Sequence, residues 1–356
     1  MGQSLEDSCN TSAFVGSNGR FLLTTTQAVA IMIPTITITV LILFGNLLVV
    51  IAVLKERHLR TTQNIYFVSL ALVDLMVAAF VLPLNIVNQY HGWQWPFGTT
   101  LCKIYVTADI TLCSMSIFHL CAIAEDRYRV VTQGAHYIQD KSVLDIVARI
   151  LVIYILSFWI ASPPLAGWDS TWLTTLDVDH DCKILDSAGY AVFSIFGSFY
   201  FPLAILTYFY WKIYRFITGR IRSKGLKREL EVEAPSDPNL TESGNVDQAI
   251  VQTLPRRRSS FQLKQFLAKK RKFSLARERR ASKTLGVIMG AFIICWLPFS
   301  LMYLITPLCG PSCPTVSRCL VEFLTWLGYF NSALNPIIYT VYNAEFRQAF
   351  AKLLHL

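Results

Sequence analysis

The stretch CKIYVTADITLCSMSIFHLCAIAEDRY, from Cys102 to Tyr128, decides the fold of this chain. It is long and apolar enough to cross a bilayer as one α-helix, although it contains Asp109 near its start and Arg127 near its end. These two residues are 18 positions apart, which is five helical turns and about 27 Å, so their side chains lie on the same face. A carboxylate at membrane depth usually faces a cavity or a partner, and Asp109 is therefore a candidate functional residue.

The rest of the chain contains further apolar runs of similar length. Of the 356 residues, 53% are hydrophobic and 15% are charged, and the hydrophobic ones are concentrated in the runs, which indicates a membrane protein. The runs cover roughly residues 28–54, 64–89, 102–131, 144–166, 187–217, 281–306 and 317–340. We therefore predict an all-α bundle of seven transmembrane helices over residues 28–340. A polar tail over residues 1–27 precedes it, and no cleaved signal peptide is expected.

The distribution of basic residues predicts the orientation of the bundle. The chain has 32 Lys and Arg against 23 Asp and Glu, a net charge of +9. With the N-terminus outside, the external segments contain few basic residues, namely Arg20, Lys103, Lys183 and Arg318. The positive charge thus reflects membrane topology, and because the basic clusters adjoin the spans we expect no nucleic-acid partner. Asn10, in Asn10-Thr11-Ser12, is then an external glycosylation acceptor.

The nine cysteines divide by their position relative to the spans. Three lie inside spans and are expected in the core: Cys113, Cys121 and Cys295. We pair Cys102 with Cys182, because both fall on the outer side, where oxidation is permitted. We pair Cys309 with Cys313 as a second, small bridge, with Cys319 as the alternative partner, and leave Cys9 unassigned.

A second acidic residue, Asp74, lies near the middle of the second predicted span. Ser116, Asn331 and Asn335 are further polar residues at similar depth. One interpretation is an acid paired with polar neighbours for packing, and the other is a site for a cation or water. We expect no metal or cofactor other than an allosteric sodium ion at this site.

Short motifs on five of the predicted spans resemble those of rhodopsin-class G-protein-coupled receptors. They are Gly45-Asn46, Leu70-Ala71 with Asp74, Asp126-Arg127-Tyr128, Cys295-Trp296-Leu297-Pro298 and Asn335-Pro336-Ile337-Ile338-Tyr339. The resemblance covers every span, and the motifs occur in a fixed order. It implies a bundle that binds an agonist from outside and opens a cytoplasmic crevice for a heterotrimeric G protein.

The finer resemblance is to the biogenic amine receptors, which carry an aspartate in the third span, here Asp109. A protonated amine binds strongly to an anion in a pocket of low dielectric constant, through a charge-assisted hydrogen bond. The resemblance implies that Tyr329 hydrogen-bonds the same carboxylate. It also implies further ligand contacts from Cys113, Trp296, Phe299, Ser300, Tyr303 and Trp326. Ser300 departs from the pattern, because amine receptors commonly have a second aromatic residue there.

Two serines in the fifth span are candidates to hydrogen-bond a hydroxyl group of the ligand. Ser194 and Ser198 are four residues apart, so their side chains share one helical face. They match the positions where amine receptors bind the ring hydroxyl of a phenolic or catechol ligand, which favours octopamine, tyramine or dopamine, with serotonin also open. The alternative is that both hydroxyls bond the backbone of the preceding helical turn.

The resemblance also implies residues for switching and for G-protein coupling. Glu278, 18 residues before Trp296, is expected at the inner end of the sixth span, where it would pair with Arg127. Pro298 removes a helix hydrogen bond and is the candidate hinge. The other residues in this group are Ile117, Asp126, Tyr128, Pro202, Tyr210, Phe292, Asn335, Pro336 and Tyr339.

Two cytoplasmic segments complete the predicted architecture. Residues 218–278 are rich in charge and poor in aromatic residues, and we predict a mobile loop there. Residues 341–356 form a short amphipathic eighth helix, with Phe346 and Phe350 on its apolar face. The short ending resembles receptors that favour inhibitory G proteins. Tyr154 departs from the family, which usually has tryptophan at this position of the fourth span.

Other classes of protein fit the sequence less well. No nucleophile, base and orienting residue converge, so we do not expect an enzyme. No lysine lies between Cys319 and Tyr339 to bind retinal, and the chain lacks the two matching halves of many transporters. A receptor of the same fold for a non-amine ligand is the alternative. The predicted partners are a monoamine agonist, a heterotrimeric G protein, membrane lipids, arrestin and receptor kinases, at the plasma membrane.

Overall fold

The computed structural model describes residues 14–15, 21–22, 25–166, 182, 188–233, 286–309 and 316–355. Within them, seven long helices, called spans 1 to 7 in chain order, are followed by a short eighth helix. Spans 1 to 4 are Thr25–Lys55, Asn64–Tyr90, Gly98–Gln133 and Val143–Ala161. Span 5 consists of Ala188–Ile195, a π-helical turn at Phe196–Tyr200 and Phe201–Glu233. Span 6 is Gly286–Cys309, span 7 is Arg318–Tyr342 and the eighth helix is Ala344–Leu353.

Three smaller elements lie outside the spans. A 3-10 turn at Arg57–Leu59 follows span 1, and a six-residue helix at Ala135–Asp140, the loop helix, connects spans 3 and 4. In the predicted tail, Phe14–Val15 and Phe21–Leu22 pair as a two-stranded antiparallel ribbon. The predicted glycosylation site at Asn10 lies outside the described residues.

The largest differences from the predicted helix boundaries are at the ends of spans 4 and 5. Span 4 ends at Ala161 rather than near residue 166, because Pro163 and Pro164 follow and cannot continue a helix. Span 5 continues to Glu233 rather than ending near residue 217, so the start of the predicted loop at 218–278 is helical. The remainder of that loop, from residue 234, lies outside the described residues.

Six of the seven spans are long and apolar enough to cross a membrane by length and composition alone. Span 7 has 25 residues but a more polar sequence, and its polar side chains lie on the buried face: Asn331, Ser332 and Asn335. Polar residues inside a bundle are hidden from lipid, so they lower the mean hydropathy of a span without preventing it from crossing.

Large apolar side chains cover the outside of the bundle. On span 4, Leu144 is 78% exposed, Ile155 is 69% exposed and Trp159 is 61% exposed. An apolar belt of this extent is not stable in water, whereas lipid tails cover it. The belt agrees with the predicted all-α membrane protein.

Span 3 lies at the centre and packs against spans 2, 4 and 5, while span 1 packs against spans 2 and 7. It is the most buried of the six apolar spans. Spans 1 and 7 approach closely at Gly45, where a Cβ atom would lie 2.9 Å from Cγ of Pro336. Glycine at this position therefore allows the proline of the Asn335-Pro336 motif to pack against span 1.

Proline distorts two of the helices. Span 2 has a π-helical turn at Val77–Val81, which ends two residues before Pro83, and the π-helical turn of span 5 ends two residues before Pro202. A proline lacks the backbone N–H and its ring crowds the carbonyl of the preceding turn, so the helix widens there. In span 5 the widened turn contains Ser198.

Disulfide bonds mark one end of the bundle. Cys102 at the start of span 3 is bonded to Cys182, as predicted, and both residues are buried. We call this end of the bundle the disulfide end and the opposite end, with Asp126-Arg127-Tyr128, the triplet end. Cys309 and Cys319 are also disulfide-bonded, whereas Cys313 lies outside the described residues. The three cysteines predicted for the core are free thiols: Cys113, Cys121 and Cys295.

The eighth helix packs against spans 1 and 7. Asn343 caps it, since its side-chain oxygen accepts a hydrogen bond from the backbone N–H of Glu345 at 3.0 Å. Phe346 and Phe350 on its apolar face are buried, and the ring of Phe346 lies 5.9 Å from that of Tyr339. The amphipathic pattern of the sequence thus corresponds to a helix docked on the bundle.

Candidate functional site

A cavity between spans 3, 5, 6 and 7 brings together nine of the ten predicted ligand residues. Span 3 contributes Asp109 and Cys113, and span 7 contributes Tyr329. The serine pair of span 5 and four residues of span 6 complete this group: Ser194, Ser198, Trp296, Phe299, Ser300 and Tyr303. Helical spacing explains the convergence, because residues three or four positions apart on each span face the same side.

The acidic part of the cavity is formed by Asp109. Its Oδ2 accepts a hydrogen bond from the hydroxyl of Tyr329 at 3.0 Å, and its Oδ1 accepts one from the Cys113 thiol at 3.4 Å. Both donors are neutral, and among the described residues no lysine or arginine forms an ion pair with Asp109. A carboxylate in such a place favours a cationic ligand, because the protein supplies hydrogen bonds but no counter-charge.

Four serines also line the cavity, on spans 3, 5 and 6. Each donates to the backbone of its own helix: Ser114 to Ile110 at 2.6 Å, Ser194 to Ala191 at 3.3 Å, Ser198 to Ser194 at 2.6 Å and Ser300 to Leu297 at 2.9 Å. The backbone bonding considered as an alternative for the serine pair is therefore present. A hydroxyl that donates to a carbonyl keeps lone pairs that accept a hydrogen bond from a ligand, so the two interpretations are compatible.

Aromatic rings form the wall on span 6. Phe299 is stacked on Tyr303, with ring centres 5.9 Å apart, and meets Trp296 edge-on at 6.0 Å. Trp296 is in turn packed against span 7, because a Cβ atom on Gly328 would lie 3.1 Å from Cη2 of its indole. The absence of a side chain at Gly328 thus makes room for the Trp296 ring at the base of the cavity.

Trp326 differs from the prediction. It is buried and packs edge-on against the ring of Tyr329, with centres 5.6 Å apart, so it supports Tyr329 from behind instead of lining the cavity. The lining residues that the sequence did not identify as ligand contacts are Ile110, Ser114, Ile117, Ile195, Phe199 and Thr325. Ile110, Ser114 and Ile117 share one face of span 3 with each other, turned by about 100° from the side chain of Asp109, and their i, i+4 and i+7 spacing is the signal that could have found them.

Asp74 is the centre of a second polar site, in the middle of the bundle. Its carboxylate is 0% exposed and accepts hydrogen bonds from Ser116 at 3.0 Å, Ser332 at 2.8 Å and Asn335 at 2.9 Å. Asn331 was predicted as part of this site. It is buried, but among the described hydrogen bonds none joins it to Asp74, and Ser332 donates to Asp74 instead. Both residues are close to Asn335 on span 7, and spacing alone does not decide which of them faces span 2.

At the triplet end, Asp126 accepts three hydrogen bonds from other elements. Gln63 donates at 2.9 Å and the hydroxyl of Tyr137 donates at 3.0 Å, while Lys141 forms a buried ion pair with the same carboxylate. Burial raises the pKa of Tyr137, and the charge of Asp126 raises it further, so the hydroxyl stays protonated as a donor. The sequence did not indicate Lys141, because it lies on the short connection between the loop helix and span 4.

The predicted partner of Arg127 is Glu278, which lies outside the described residues. The Arg127 guanidinium is 6.0 Å from the centre of the Phe67 ring, and Phe67 in turn packs on Tyr339 with ring centres 4.7 Å apart. Tyr128 packs on Phe209 of span 5 at 5.8 Å. The triplet thus contacts spans 2 and 5 through aromatic rings, and Phe67 connects it to span 7.

The residues predicted as a core switch lie between the cavity and the triplet end. Phe292 is fully buried, shares a core cluster with Ile117 and packs on Phe199 with ring centres 5.4 Å apart. The backbone oxygen of Pro202 accepts a hydrogen bond from the Cys121 thiol at 3.2 Å. Further toward the triplet end, the Tyr210 hydroxyl lies against span 6, 2.9 Å from where a Cβ atom on Gly286 would be. These residues connect the base of the cavity to the ends of spans 5 and 6.

The geometry matches a class of protein. A bundle of seven helices with a cavity at the disulfide end, and with buried contacts leading from it to the triplet end, defines a multi-pass membrane receptor. Within the described residues, no group of three or more His, Cys, Asp or Glu is placed to hold a metal ion. The model of the family described as 7 transmembrane receptor (rhodopsin family) matches residues 45–339, and the chain belongs to this family. It is therefore a receptor and not an enzyme, as the sequence predicted.

Several known proteins are similar to the chain over most of its length. The probable G-protein coupled receptor No18 of Amphibalanus amphitrite is 40% identical over 97% of this chain and 94% of its own length. The octopamine receptor of Bombyx mori is 34% identical over 88% of this chain and 85% of its own length. The 5-hydroxytryptamine receptor 1D of Mus musculus is 36% identical over 89% of this chain and 87% of its own length.

Proposed function

We propose that the chain is a plasma-membrane receptor for a small protonated monoamine, with its N-terminus outside the cell, and that it activates a heterotrimeric G protein. The observation that carries this proposal is the Asp109 carboxylate, which lines the cavity and accepts a hydrogen bond from Tyr329 at 3.0 Å. A protonated amine would supply the positive charge and the N–H donors that this carboxylate favours. The names of the similar octopamine and 5-hydroxytryptamine receptors support the same ligand class.

Within this class, the cavity favours a phenolic or catechol amine such as octopamine, tyramine or dopamine. Asp109 is on span 3 and the serine pair, Ser194 and Ser198, is on span 5, so a ligand with an amine at one end and a ring hydroxyl at the other would bridge span 3 and span 5. A ligand without the hydroxyl would leave the serine side of the cavity without a donor, and this difference provides selectivity.

Agonist binding would be transmitted through the base of the cavity. Contraction between Asp109 and the span 5 serines would move Trp296 and Phe292, and the inner half of span 6 would swing outward about Pro298. Such a shift requires the agonist to bind the active state more tightly, by about 1 to 3 kcal/mol for typical coupling. Arg127 would then contact the G protein, for which we favour the inhibitory type.

Four further partners belong to the same proposal. Asp74, with its three hydrogen-bond donors, would hold an allosteric sodium ion that favours the resting state. Arrestin and receptor kinases would act at the triplet end after activation. Membrane lipids would cover the apolar belt.

The test is the isosteric change Asp109→Asn. We expect it to lower the potency of an activating monoamine by at least a hundredfold, because a charge-assisted hydrogen bond and a counter-ion are lost together. The measurement is a panel of monoamines on cells that express the full chain, with cyclic AMP read in both directions and with calcium.

Asp145→Asn is the matched control, because it makes the same change at an exposed acid at the start of span 4. Full potency in a surface-expressed Asp109→Asn receptor would contradict amine binding at Asp109 and would favour a non-amine ligand.

A further inference from the structure

One face of span 5, toward the triplet end, points away from the bundle and combines positive charges with aromatic rings. Tyr208, Trp211, Lys212 and Arg215 follow the i, i+3, i+4 and i+7 spacing of a single helical stripe, which we call the span 5 stripe. Tyr208 is 51% exposed, Trp211 is 47% exposed and Arg215 is exposed as well. Ile213, on the opposite face of the same helix, is buried in the core.

The aromatic rings of the stripe hold its two cations close together. Nζ of Lys212 lies 5.4 Å from the centre of the Tyr208 ring and 5.9 Å from that of Trp211. Cζ of Arg215 lies 5.1 Å from the centre of the same Trp211 ring. A cation over an aromatic face is attracted by the ring quadrupole, so these contacts position the charges without neutralising them. Because both charges lie over one ring, a single anionic group can reach both.

Acidic residues do not balance these charges within the part of the chain that the structure describes. Neither Lys212 nor Arg215 forms an ion pair there. The sequence from Ala188 to Arg228 contains no Asp or Glu, although it contains several basic residues besides these two. Among the described residues, the stripe is thus a positive surface without a counter-ion.

The stripe lies at the depth of a membrane boundary. Phe209 of span 5 packs on Tyr128 of the triplet with ring centres 5.8 Å apart, so span 5 reaches the level of the triplet at this residue. Lys212 and Arg215 follow three and six residues later, which is about 5 and 9 Å further along a helix. Lipid phosphates occupy the layer just beyond the hydrocarbon, where Trp and Tyr side chains are also enriched.

We propose that the span 5 stripe binds the headgroup of an anionic phospholipid, with its negative charge between Lys212 and Arg215. A guanidinium donates paired N–H groups to phosphate oxygens, and an ammonium adds a point charge beside them. The exposed rings of Tyr208 and Trp211 would pack against the glycerol region and the upper acyl chains of the same lipid.

A lipid fits this surface better than an acidic protein segment, because the stripe faces away from the bundle at membrane depth, where lipids are its neighbours. In the proposed orientation the triplet end faces the cytoplasmic leaflet, which contains the anionic lipids of the plasma membrane. Binding to the stripe does not depend on the ligand in the cavity, so the inference goes beyond the proposed function.

The test compares phosphatidylcholine with phosphatidylserine of the same acyl chains, two lipids that share the phosphate and differ in net charge. The full chain in detergent receives an equimolar mixture, and native mass spectrometry gives the ratio of phosphatidylserine to phosphatidylcholine for the first bound lipid. A basic residue near an anionic surface contributes about fivefold, so Lys212→Gln with Arg215→Gln should lower this ratio by at least about tenfold. Phosphatidylglycerol should give the same result as phosphatidylserine, because the site recognises charge and not serine.

Lys55→Gln with Arg57→Gln is the matched control, because it removes two positive charges from exposed residues at the triplet end of span 1. We expect this control to leave the ratio within about twofold of the wild-type value. An unchanged ratio in the Lys212 and Arg215 variant, or an equal loss in both double variants, would overturn the site. Equal losses would assign the preference to the overall positive charge of this end.

A second measurement locates the lipid without changing either cation. Phosphatidylserine with brominated acyl chains quenches nearby tryptophans in nanodiscs, and the part of the quenching that Trp211→Phe removes belongs to Trp211. We expect this part to be larger than with brominated phosphatidylcholine at the same mole fraction. Equal quenching of Trp211 by both lipids would overturn the proposal. Neither result changes the expected effect of Asp109→Asn on amine potency, so the lipid site and the proposed function fail separately.

Discussion

At the residue scale, the serines of the cavity show how one hydroxyl can bond its own helix and keep the capacity to accept a hydrogen bond from a ligand. Ser198 lies in the π-helical turn before Pro202 and donates to the Ser194 carbonyl at 2.6 Å. The widened turn has weakened helix bonding, so the hydroxyl has a structural reason to bond the backbone. Because Ser198 lines the cavity and a donating hydroxyl keeps lone pairs that accept, the proposed ligand contact adds a hydrogen bond without breaking that one.

Replacement of both span 5 serines, Ser194→Ala with Ser198→Ala, tests this dual role. We expect the potency of tyramine to fall about tenfold, which corresponds to one lost hydrogen bond of about 1.4 kcal/mol. Phenethylamine, which lacks the hydroxyl, should lose much less. The measurement is the cyclic AMP dose response to both amines, and the ratio of the two potencies is the informative quantity.

Thr306→Ala is the matched control for that experiment. Its hydroxyl bonds its own helix at 2.8 Å, as the serines do, but it is exposed and lies outside the cavity lining. If tyramine and phenethylamine lose potency equally in the serine variant, the hydroxyls of Ser194 and Ser198 stabilise the helix and do not hydrogen-bond the ligand.

At the element scale, the sequence predicts most of what repeats with the helical period and little of what does not. Asp109, Ser194 and Trp296 could be placed because each occupies a defined face of a long helix, and because the motifs order the spans. The position of Lys141 could not be predicted, because Lys141 lies between the loop helix and span 4, where no helical periodicity determines the direction of its side chain. Its contact with Asp126 depends on how two elements fold back on each other.

The same limit explains smaller differences in the site. Ser332 rather than Asn331 bonds Asp74, and Trp326 supports Tyr329 instead of lining the cavity. Adjacent residues on a helix differ by about 100° in direction, and the rotation of a span about its axis is set by packing with its neighbours. The sequence therefore identified the polar face of span 7 but not which residue of that face makes each contact.

The buried ion pair of Asp126 and Lys141 connects the end of the loop helix to span 3. The variant Lys141→Met tests whether this ion pair stabilises the bundle. Both side chains are almost fully buried, so removal of the ammonium leaves a buried carboxylate with only neutral donors. We expect a loss of about 2 kcal/mol in the free energy of unfolding, with a lower melting temperature in detergent. We also expect higher basal signalling, because the triplet end is released from one of its constraints.

Two companion variants make the interpretation specific. Lys141→Arg keeps the charge and should behave like the wild-type chain. The combination of Asp126→Asn with Lys141→Met removes both charges and should recover most of the melting temperature, because no unpaired charge is left. A melting temperature of Lys141→Met equal to that of the wild-type chain would show that the pair does not stabilise the bundle.

At the scale of the whole molecule, the disulfide and the basic residues lead to the same orientation. The Cys102–Cys182 bond lies at the start of span 3, and two membrane crossings before it return the chain to the side of its N-terminus. Disulfides persist in oxidising compartments, which supports the proposed placement of this end outside the cell. The low number of basic residues in the same segments supports that placement independently.

This orientation predicts that Asn10 carries an N-linked glycan and that Asn239 does not, although both occur in acceptor sequences. Glycosidase treatment of the full chain from membranes should reduce its apparent mass, and Asn10→Gln should abolish the reduction. Asn239→Gln is the matched control and should leave the mass shift unchanged, because the loop between spans 5 and 6 would face the cytoplasm. A glycan at Asn239 would require the opposite orientation, which would place Asp109 and its cavity on the cytoplasmic side and exclude a receptor for external amines.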